Sequence, residues 1–151
     1  AYGGIKLSKE ALNKFDRINM MSYDYQYGSD RNHHSNYQNA TIKDIQRYID
    51  KGVQPEKLVL GLAYYSSQKQ IGWSTIYSQM DAYEVLDPGT NFFKDFTFNN
   101  VNLIRDRTMY AIKRKIGGVF SWHIGVDVAW SKDYSLIKAQ QGVIDRFVEN
   151  N

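Results

Sequence analysis

The 151-residue sequence predicts an α/β fold in which parallel strands are flanked by helices. Helical and strand patterns alternate along most of the chain, which is the order that right-handed crossovers between parallel strands produce. The clearest strand is the continuous apolar run Leu58–Ala63, bounded by turn residues. About three parallel strands with helices form either a small open sheet or part of a (β/α)8 barrel. A whole barrel needs about 250 residues, so in that interpretation its first strands lie outside this sequence.

The N-terminal part predicts a helix, a strand and a second helix. Ser8 is placed to cap a helix from Lys9 to about Phe15, and the first strand follows at 18–23. Thr41 is expected to cap the second helix and Gly52 to end it. The apolar face of that helix consists of Ile42, Ile45 and Ile49.

The C-terminal part predicts a long connection and then a helix, a strand and a helix. Residues 64–99 are aromatic and irregular, which indicates a functional loop or a short insertion at about 66–99. Asn100 is expected to cap a helix that reaches about Lys115, and the third strand follows at 119–124. The last helix spans about 134–149. Its apolar positions at helical spacing are Leu136, Ile137, Val143, Ile144, Phe147 and Val148.

Composition excludes several kinds of chemistry. Without cysteine there is no disulfide or zinc–thiolate site, and His33-His34 alone rarely makes a metal site. The net charge is only +3, the basic residues are scattered, and no apolar run is long enough to cross a membrane. No glycine-rich phosphate loop is present. We therefore expect no metal, no cofactor, no nucleic-acid partner and no membrane partner.

Polar side chains end the first strand, where its apolar run stops at Ser22, Tyr23 and Asp24. In helix-wrapped parallel sheets, binding and chemistry occur at this carboxyl edge. Aromatic faces stack on the C–H faces of sugars, while carboxylates and phenols hydrogen-bond hydroxyls and amides. A single aromatic residue at a strand end more often simply covers the hydrophobic core. Aromatic and polar residues at three strand ends that share one rim favour a carbohydrate-binding site. The other two ends supply Tyr64, Tyr65 and Trp122.

Three segments resemble family 18 of the glycoside hydrolases, the chitinase family. Residues 21–25, Met-Ser-Tyr-Asp-Tyr, resemble the Met-x-Tyr-Asp-Tyr end of its sixth barrel strand. Residues 52–65 are similar to the passage into its seventh strand, and Gly-Gly-Val-Phe-Ser-Trp at 117–122 with Asp127 resembles its eighth. The ordered series covers roughly 15–148. The resemblance implies that residues 1–151 are a partial catalytic domain, the C-terminal part of a (β/α)8 TIM barrel.

The resemblance also implies roles for five residues. In these enzymes the 2-acetamido carbonyl of the substrate attacks the anomeric carbon while a Glu protonates the leaving oxygen. Tyr23 would act catalytically by holding that carbonyl in line, and Asp24 would bind sugar hydroxyls or a neighbouring acetamido group. Met21 would pack beneath the distorted sugar, which would rest on Trp122. Tyr65 matches the family tyrosine after the seventh strand and is a further substrate-binding candidate.

Two features depart from the family pattern. Ser66 and Ser67 stand where Gly-Arg is common, so a cationic contact from this strand end is not implied. The catalytic signature Asp-x-x-Asp-x-Asp-x-Glu occurs nowhere in these residues, and 81–84, Asp-Ala-Tyr-Glu, matches its spacing only loosely. We therefore expect the acid to lie on a missing N-terminal half of the barrel, in the same or another chain.

Two functions follow from the resemblance, and a third remains open. The favoured one is a secreted chitinase, or a related hydrolase of β-1,4-linked N-acetylglucosamine, of which this chain is the substrate-binding half. Its partner would be chitin or an N-acetylglucosamine oligosaccharide. The alternative is a chitinase-like lectin without activity, although a lectin does not need the acetamido-positioning phenol. An autonomous small α/β domain of unrelated function is the third possibility.

Overall fold

The computed structural model describes residues 6–24, 35–67, 69–80 and 90–150. A three-stranded parallel sheet lies at its centre, and a two-stranded antiparallel sheet lies apart from it. In chain order the elements are α1 (Lys9–Asn13), β1 (Ile18–Met20), α2 (Asp44–Asp50), β2 (Leu58–Ala63), α3 (Trp73–Gln79), β3 (Phe92–Phe93), β4 (Phe96–Thr97), α4 (Val101–Lys113), β5 (Gly118–Trp122) and α5 (Leu136–Glu149).

The central sheet has the order β1-β2-β5, and both pairings are parallel. The register pairs Met20 with Leu60 and Ala63 with Trp122, so the carboxyl ends of all three strands meet at one edge. All six residues of β2 are buried, as its unbroken apolar run predicts for the middle strand. The predicted parallel α/β sheet is confirmed.

The predicted helix-end residues Ser8, Gly52 and Asn100 are confirmed, although α1 and α4 end two residues earlier than expected. The Ser8 hydroxyl accepts a hydrogen bond from the Ala11 amide at 3.2 Å, and the Asn100 side chain accepts one from the Leu103 amide at 2.8 Å. Gly52 follows α2 with φ of +84°, a left-handed conformation that favours glycine at a helix end. The last helix begins at Leu136, slightly later than predicted, because Ser135 caps it.

The prediction that Thr41 caps the second helix is wrong. A π-helical segment, Gln38–Lys43, precedes α2, and Thr41 is buried inside it. The Asn36 side chain accepts a hydrogen bond from the Asn39 amide at 2.9 Å, so an acceptor earlier in the chain satisfies the helix start.

Two strands also differ from their predicted bounds. The first ends at Met20 rather than at residue 23, because the Ser22 amide bonds back to the Met20 carbonyl at 2.9 Å and turns the chain. The third ends at Trp122 rather than at residue 124, since a 3-10 turn at Ile124–Val126 follows.

The long connection after β2 has secondary structure of its own, with α3 and the β3–β4 hairpin in its described part. Trp73 of α3 is buried, and its indole nitrogen donates to the Tyr134 carbonyl at 2.9 Å. Phe98, after the hairpin, is also buried and stacks at a tilt on Trp73 at 5.2 Å. The connection therefore adds to the core.

The two faces of the sheet differ. Alternate side chains point to opposite faces of a strand, and Leu58, Leu60, Leu62 and Tyr64 lie on the face covered by helices, where all are fully buried. The opposite face is covered by a small aromatic cluster of Tyr23, Tyr65 and Phe120 with Ala63. The candidate site residues belong to this second face. None of the described helices is long and apolar enough to cross a membrane.

Candidate functional site

The carboxyl ends of the three parallel strands form the wall of one cleft of about 170 Å³. Asp24, Tyr65 and Trp122, which the sequence assigns to three separate strand ends, all line it. The other lining residues are Gln70, His123 and Val126. The cleft is smaller than the pockets of roughly 300–1,000 Å³ that drug-sized ligands occupy.

A short hydrogen bond connects two of these strand ends. The Tyr65 hydroxyl donates to Asp24 Oδ2 at 2.5 Å. Burial, together with this hydrogen bond, raises the pKa of Tyr65, so its phenol keeps its proton at neutral pH. Asp24 has φ of +64°, a left-handed conformation that Asp tolerates better than most residues and that commonly accompanies functional sites. The carboxylate orientation is thereby set by both backbone and side-chain contacts.

Tyr23 is buried next to the cleft and does not itself line it. Its ring makes edge-on contacts with Tyr65 at 6.1 Å and with Phe120 at 6.4 Å between ring centroids. Burial and the neighbouring Asp24 carboxylate raise the pKa of Tyr23 to about 12. At neutral pH this phenol is a hydrogen-bond donor.

Trp122 and Met21 both expose large apolar surfaces. Trp122 is 55% exposed and lines the cleft, and its backbone carbonyl accepts from the Tyr64 amide at 2.9 Å. Its indole is therefore held at a strand end with its side chain in solvent, as a stacking surface requires. Met21 is 51% exposed and is not among the lining residues.

Tyr64 does not lie at the rim, contrary to its placement by sequence. It is fully buried on the helix-covered face, where its hydroxyl donates to Gln140 Oε1 at 3.0 Å. The Ser121 hydroxyl donates to the same glutamine oxygen at 3.0 Å and lies 3.1 Å from the Tyr64 hydroxyl. This network joins the ends of β2 and β5 to α5, so it supports the strands that carry Tyr65 and Trp122.

Asp127, the downstream aspartate of the third motif, caps α5. Its carboxylate accepts hydrogen bonds from the Leu136 amide at 3.0 Å, the Ile137 amide at 2.9 Å and the Ser135 hydroxyl at 3.0 Å. Both carboxylate oxygens of Asp127 therefore accept hydrogen bonds within the fold, and this capping role accounts for the residue without a ligand.

Sequence reasoning did not identify Gln70, His123 or Val126 as lining residues. His123 directly follows Trp122, so its place after a strand end was a usable signal. Gln70 and Val126 reach the cleft only through the folding of the loops after β2 and β5, which periodicity does not report.

The part of the chain that the structure describes brings no three potential metal-ligating side chains together. His33-His34, the loose 81–84 match and Tyr25 lie outside the described residues.

The model of glycosyl hydrolases family 18 matches residues 3–127. Comparison with curated proteins finds no match. A family 18 chitinase from Flavobacterium johnsoniae is similar in structure, with a TM-score of 0.71 and 20% identity over 93% of this chain and 46% of that one.

Two plant proteins are similar at the same level. A chitinase-like agglutinin from Robinia pseudoacacia has a TM-score of 0.63 and 24% identity, covering 89% of this chain and 49% of the agglutinin. A class V chitinase from Nicotiana tobaccum, solved in complex with NAG4, has a TM-score of 0.64 and 17% identity, covering 89% of this chain and 51% of that one.

The chain thus spans about half the length of the structures that it resembles. Its parallel sheet, flanking helices and carboxyl-edge cleft correspond to the C-terminal part of a TIM barrel. Since the family match covers most of the sequence, the chain belongs to family 18 of the glycosyl hydrolases.

Proposed function

We propose that this chain is the substrate-binding half of a chitinase, or of a related hydrolase of β-1,4-linked N-acetylglucosamine glycans, that works by a substrate-assisted retaining mechanism. The observation that carries the proposal is the meeting of Asp24, Tyr65 and Trp122 at one cleft, with the protonated Tyr23 packed against it. A stacking indole beside fixed polar groups suits a sugar.

Tyr23 has the proton that the proposed mechanism needs. The acetamido carbonyl oxygen of the substrate attacks the anomeric carbon, and positive charge develops on the acetamido group as the ring closes. A phenol that donates to this group holds it in line for attack and fixes its orientation. The raised pKa of Tyr23 and its packing against Tyr65 and Phe120 support this role, because the proton stays in place and the ring cannot easily turn away.

The remaining residues bind the sugars. Asp24, held by the Tyr65 hydroxyl, accepts hydrogen bonds from sugar hydroxyls or from an acetamido N–H. The exposed indole of Trp122 stacks on the apolar face of the sugar ring. Met21, also exposed, packs beneath the same sugar. Tyr65 orients the carboxylate and adds to the wall of the cleft.

The catalytic acid is proposed to lie on the N-terminal half of the barrel, in the same or another chain. The small volume of the cleft and the half-length match both support a site that this second half completes. Chitin is an extracellular polymer, so we propose that the whole protein acts outside the cell.

The test is Tyr23→Phe in the complete protein. The variant removes only the hydroxyl, and we expect kcat for an N-acetylglucosamine tetramer to fall about 10²-fold or more, because the acetamido carbonyl is then no longer held in line for attack. Tyr77→Phe is the matched control, because Tyr77 packs against Trp73 and Tyr134 outside the cleft. An unchanged kcat in Tyr23→Phe removes the phenol from the mechanism.

A lectin is the second candidate function, favoured by the similarity to the Robinia agglutinin. The cleft would bind the sugar equally well in a lectin, so hydrolysis by the complete protein is the measurement that separates the two functions. Binding of the tetramer with no hydrolysis, together with an upstream half that has Gln or Leu in place of the acid, supports the lectin.

A further inference from the structure

We infer that Gln70 is a substrate-binding residue of the cleft. The inference rests on the proposed function and extends it to a residue that no motif marks. Gln70 lines the cleft with Asp24 and Trp122.

The loop that carries Gln70 is closed by backbone contacts. Tyr65 and Gly72 form an isolated antiparallel bridge at its base. Inside it the Ser66 amide donates to the Ile71 carbonyl at 2.8 Å, and the Ile71 amide donates to the Ser66 hydroxyl at 3.0 Å. Gln70 directly precedes Ile71, so these hydrogen bonds fix its backbone relative to the cleft.

The backbone at this position is strained. Gln70 has φ of +52° and Lys69 has φ of +57°, a conformation that side-chain-bearing residues other than Asn and Asp rarely adopt. Glycine would relieve the strain at either position. Such strained residues concentrate at ligand sites, where the geometry serves the ligand rather than stability. Their side chains point to different places: the Lys69 amine lies 5.7 Å from the centre of the Phe96 ring, whereas the Gln70 side chain lines the cleft.

The side chain of Gln70 is only weakly held by protein. Its Nε2 lies 3.5 Å from Asp24 Oδ1, at the outer limit for a hydrogen bond. A long contact of this kind is readily exchanged for one to a ligand. The Gln70 amide has both an N–H donor and a C=O acceptor. Beside the Asp24 carboxylate, it can therefore hydrogen-bond a sugar hydroxyl or an acetamido group without adding charge.

The test is the affinity of the complete protein for an N-acetylglucosamine tetramer. Removal of one neutral hydrogen bond in Gln70→Ala should raise KM about 3- to 10-fold while kcat stays nearly unchanged, the pattern of lost ground-state binding. Lys69→Ala is the matched control, since it lies in the same loop and the same backbone region but outside the cleft lining. We expect it to leave KM unchanged.

A second variant separates binding from loop structure. Gln70→Gly relieves the backbone strain, so it should keep or raise the thermal midpoint while KM still rises as in Gln70→Ala. If both variants keep the wild-type KM, Gln70 does not bind substrate and the inference is overturned, although the proposed function stands. If the wild-type protein neither binds nor cleaves the tetramer, the proposed function is overturned, and this inference with it.

Discussion

At the scale of single residues, Gly61 determines how closely the aromatic cluster approaches the sheet. A Cβ at this position in the middle of β2 would lie 2.7 Å from Met20 O, from a Tyr23 ring carbon and from a Phe120 ring carbon. The absence of a side chain therefore allows the Tyr23 and Phe120 rings to lie directly on the central strand. The position of Tyr23 therefore depends on a glycine of the neighbouring strand β2, outside its own motif.

We expect Gly61→Ala in the complete protein to lower the free energy of unfolding by about 1–3 kcal/mol, because the added methyl overpacks a closed contact. Activity should fall as well, since the ring of Tyr23 must move. Gly142→Ala is the control: apart from the helix's own backbone and its chain neighbours, no atom lies within 4 Å of where a Cβ on Gly142 of α5 would be, so helix propensity should raise stability by about 0.5–1 kcal/mol. Thermal or urea unfolding measures both, and equal stability of Gly61→Ala and the wild type would contradict the packing argument.

The candidate site could be predicted from sequence where its residues adjoin recognisable strands. Asp24, Tyr65 and Trp122 each follow an apolar run closely, and the cleft contains all three. Tyr64 was misplaced because one residue of register decides which face a side chain occupies, and the strand end alone does not reveal it. Gln70 was missed because its position depends on loop closure between Tyr65 and Gly72.

At the scale of elements, α5 is tied to the end of β5 by Asp127 rather than by packing alone. The Asp127 carboxylate accepts from the first amides of α5 and from Ser135, while Ser135 itself accepts from the Lys138 amide at 3.2 Å. Two capping residues at one helix start satisfy amides that would otherwise lack partners. They also fix the loop that carries Val126 of the cleft.

We expect Asp127→Ala to destabilise the complete protein by about 2 kcal/mol, since it removes several hydrogen bonds to a charged acceptor at a helix N-terminus. Asp133→Ala is the control. Asp133 is exposed, and its ion pair with Lys138 at 2.9 Å is a surface contact, so its loss should leave the midpoint of urea unfolding unchanged. A similar shift in the two variants would mean that the capping contacts add nothing.

Element existence was more predictable than element bounds. The apolar run of β2 and the Asn100 cap of α4 are local signals, and both are confirmed. The end of β1 depends on a turn at Ser22, and the start of the helical segment before α2 depends on Asn36. In both places, alternative local hydrogen bonds compete, and tertiary packing decides which of them forms. The sequence pattern does not report that packing.

At the scale of the whole molecule, an apolar groove lies beside β5, one of the two outer strands of the central sheet. Its lining includes Ile112, Val119, Ile144 and Phe147, and Phe147 is 46% exposed. Among the described strands, β5 pairs only with β2, so its other edge faces away from the sheet. An unpaired edge and an apolar groove together are a site for association.

We therefore expect this chain, expressed alone, to associate or aggregate, and co-expression with the N-terminal half of the barrel to yield a complex of one copy of each. Light scattering after size exclusion measures both states. Phe147→Lys should reduce self-association, whereas Leu7→Lys should not, because Leu7 is similarly exposed at 42% but lies outside the groove. A monomer with a cooperative thermal transition would instead support an autonomous domain.

The hydrogen bond between Tyr65 and Asp24 joins two residues of the same half of the barrel. Under the proposed function, this half of the barrel holds the groups that recognise the glycan, and the other half supplies the catalytic acid. Such a division would allow glycan recognition and bond cleavage to change independently. With the acid on the other half, one substitution there would leave a protein that binds the glycan without cutting it, and exchange of that half would give chimaeras that keep one glycan preference.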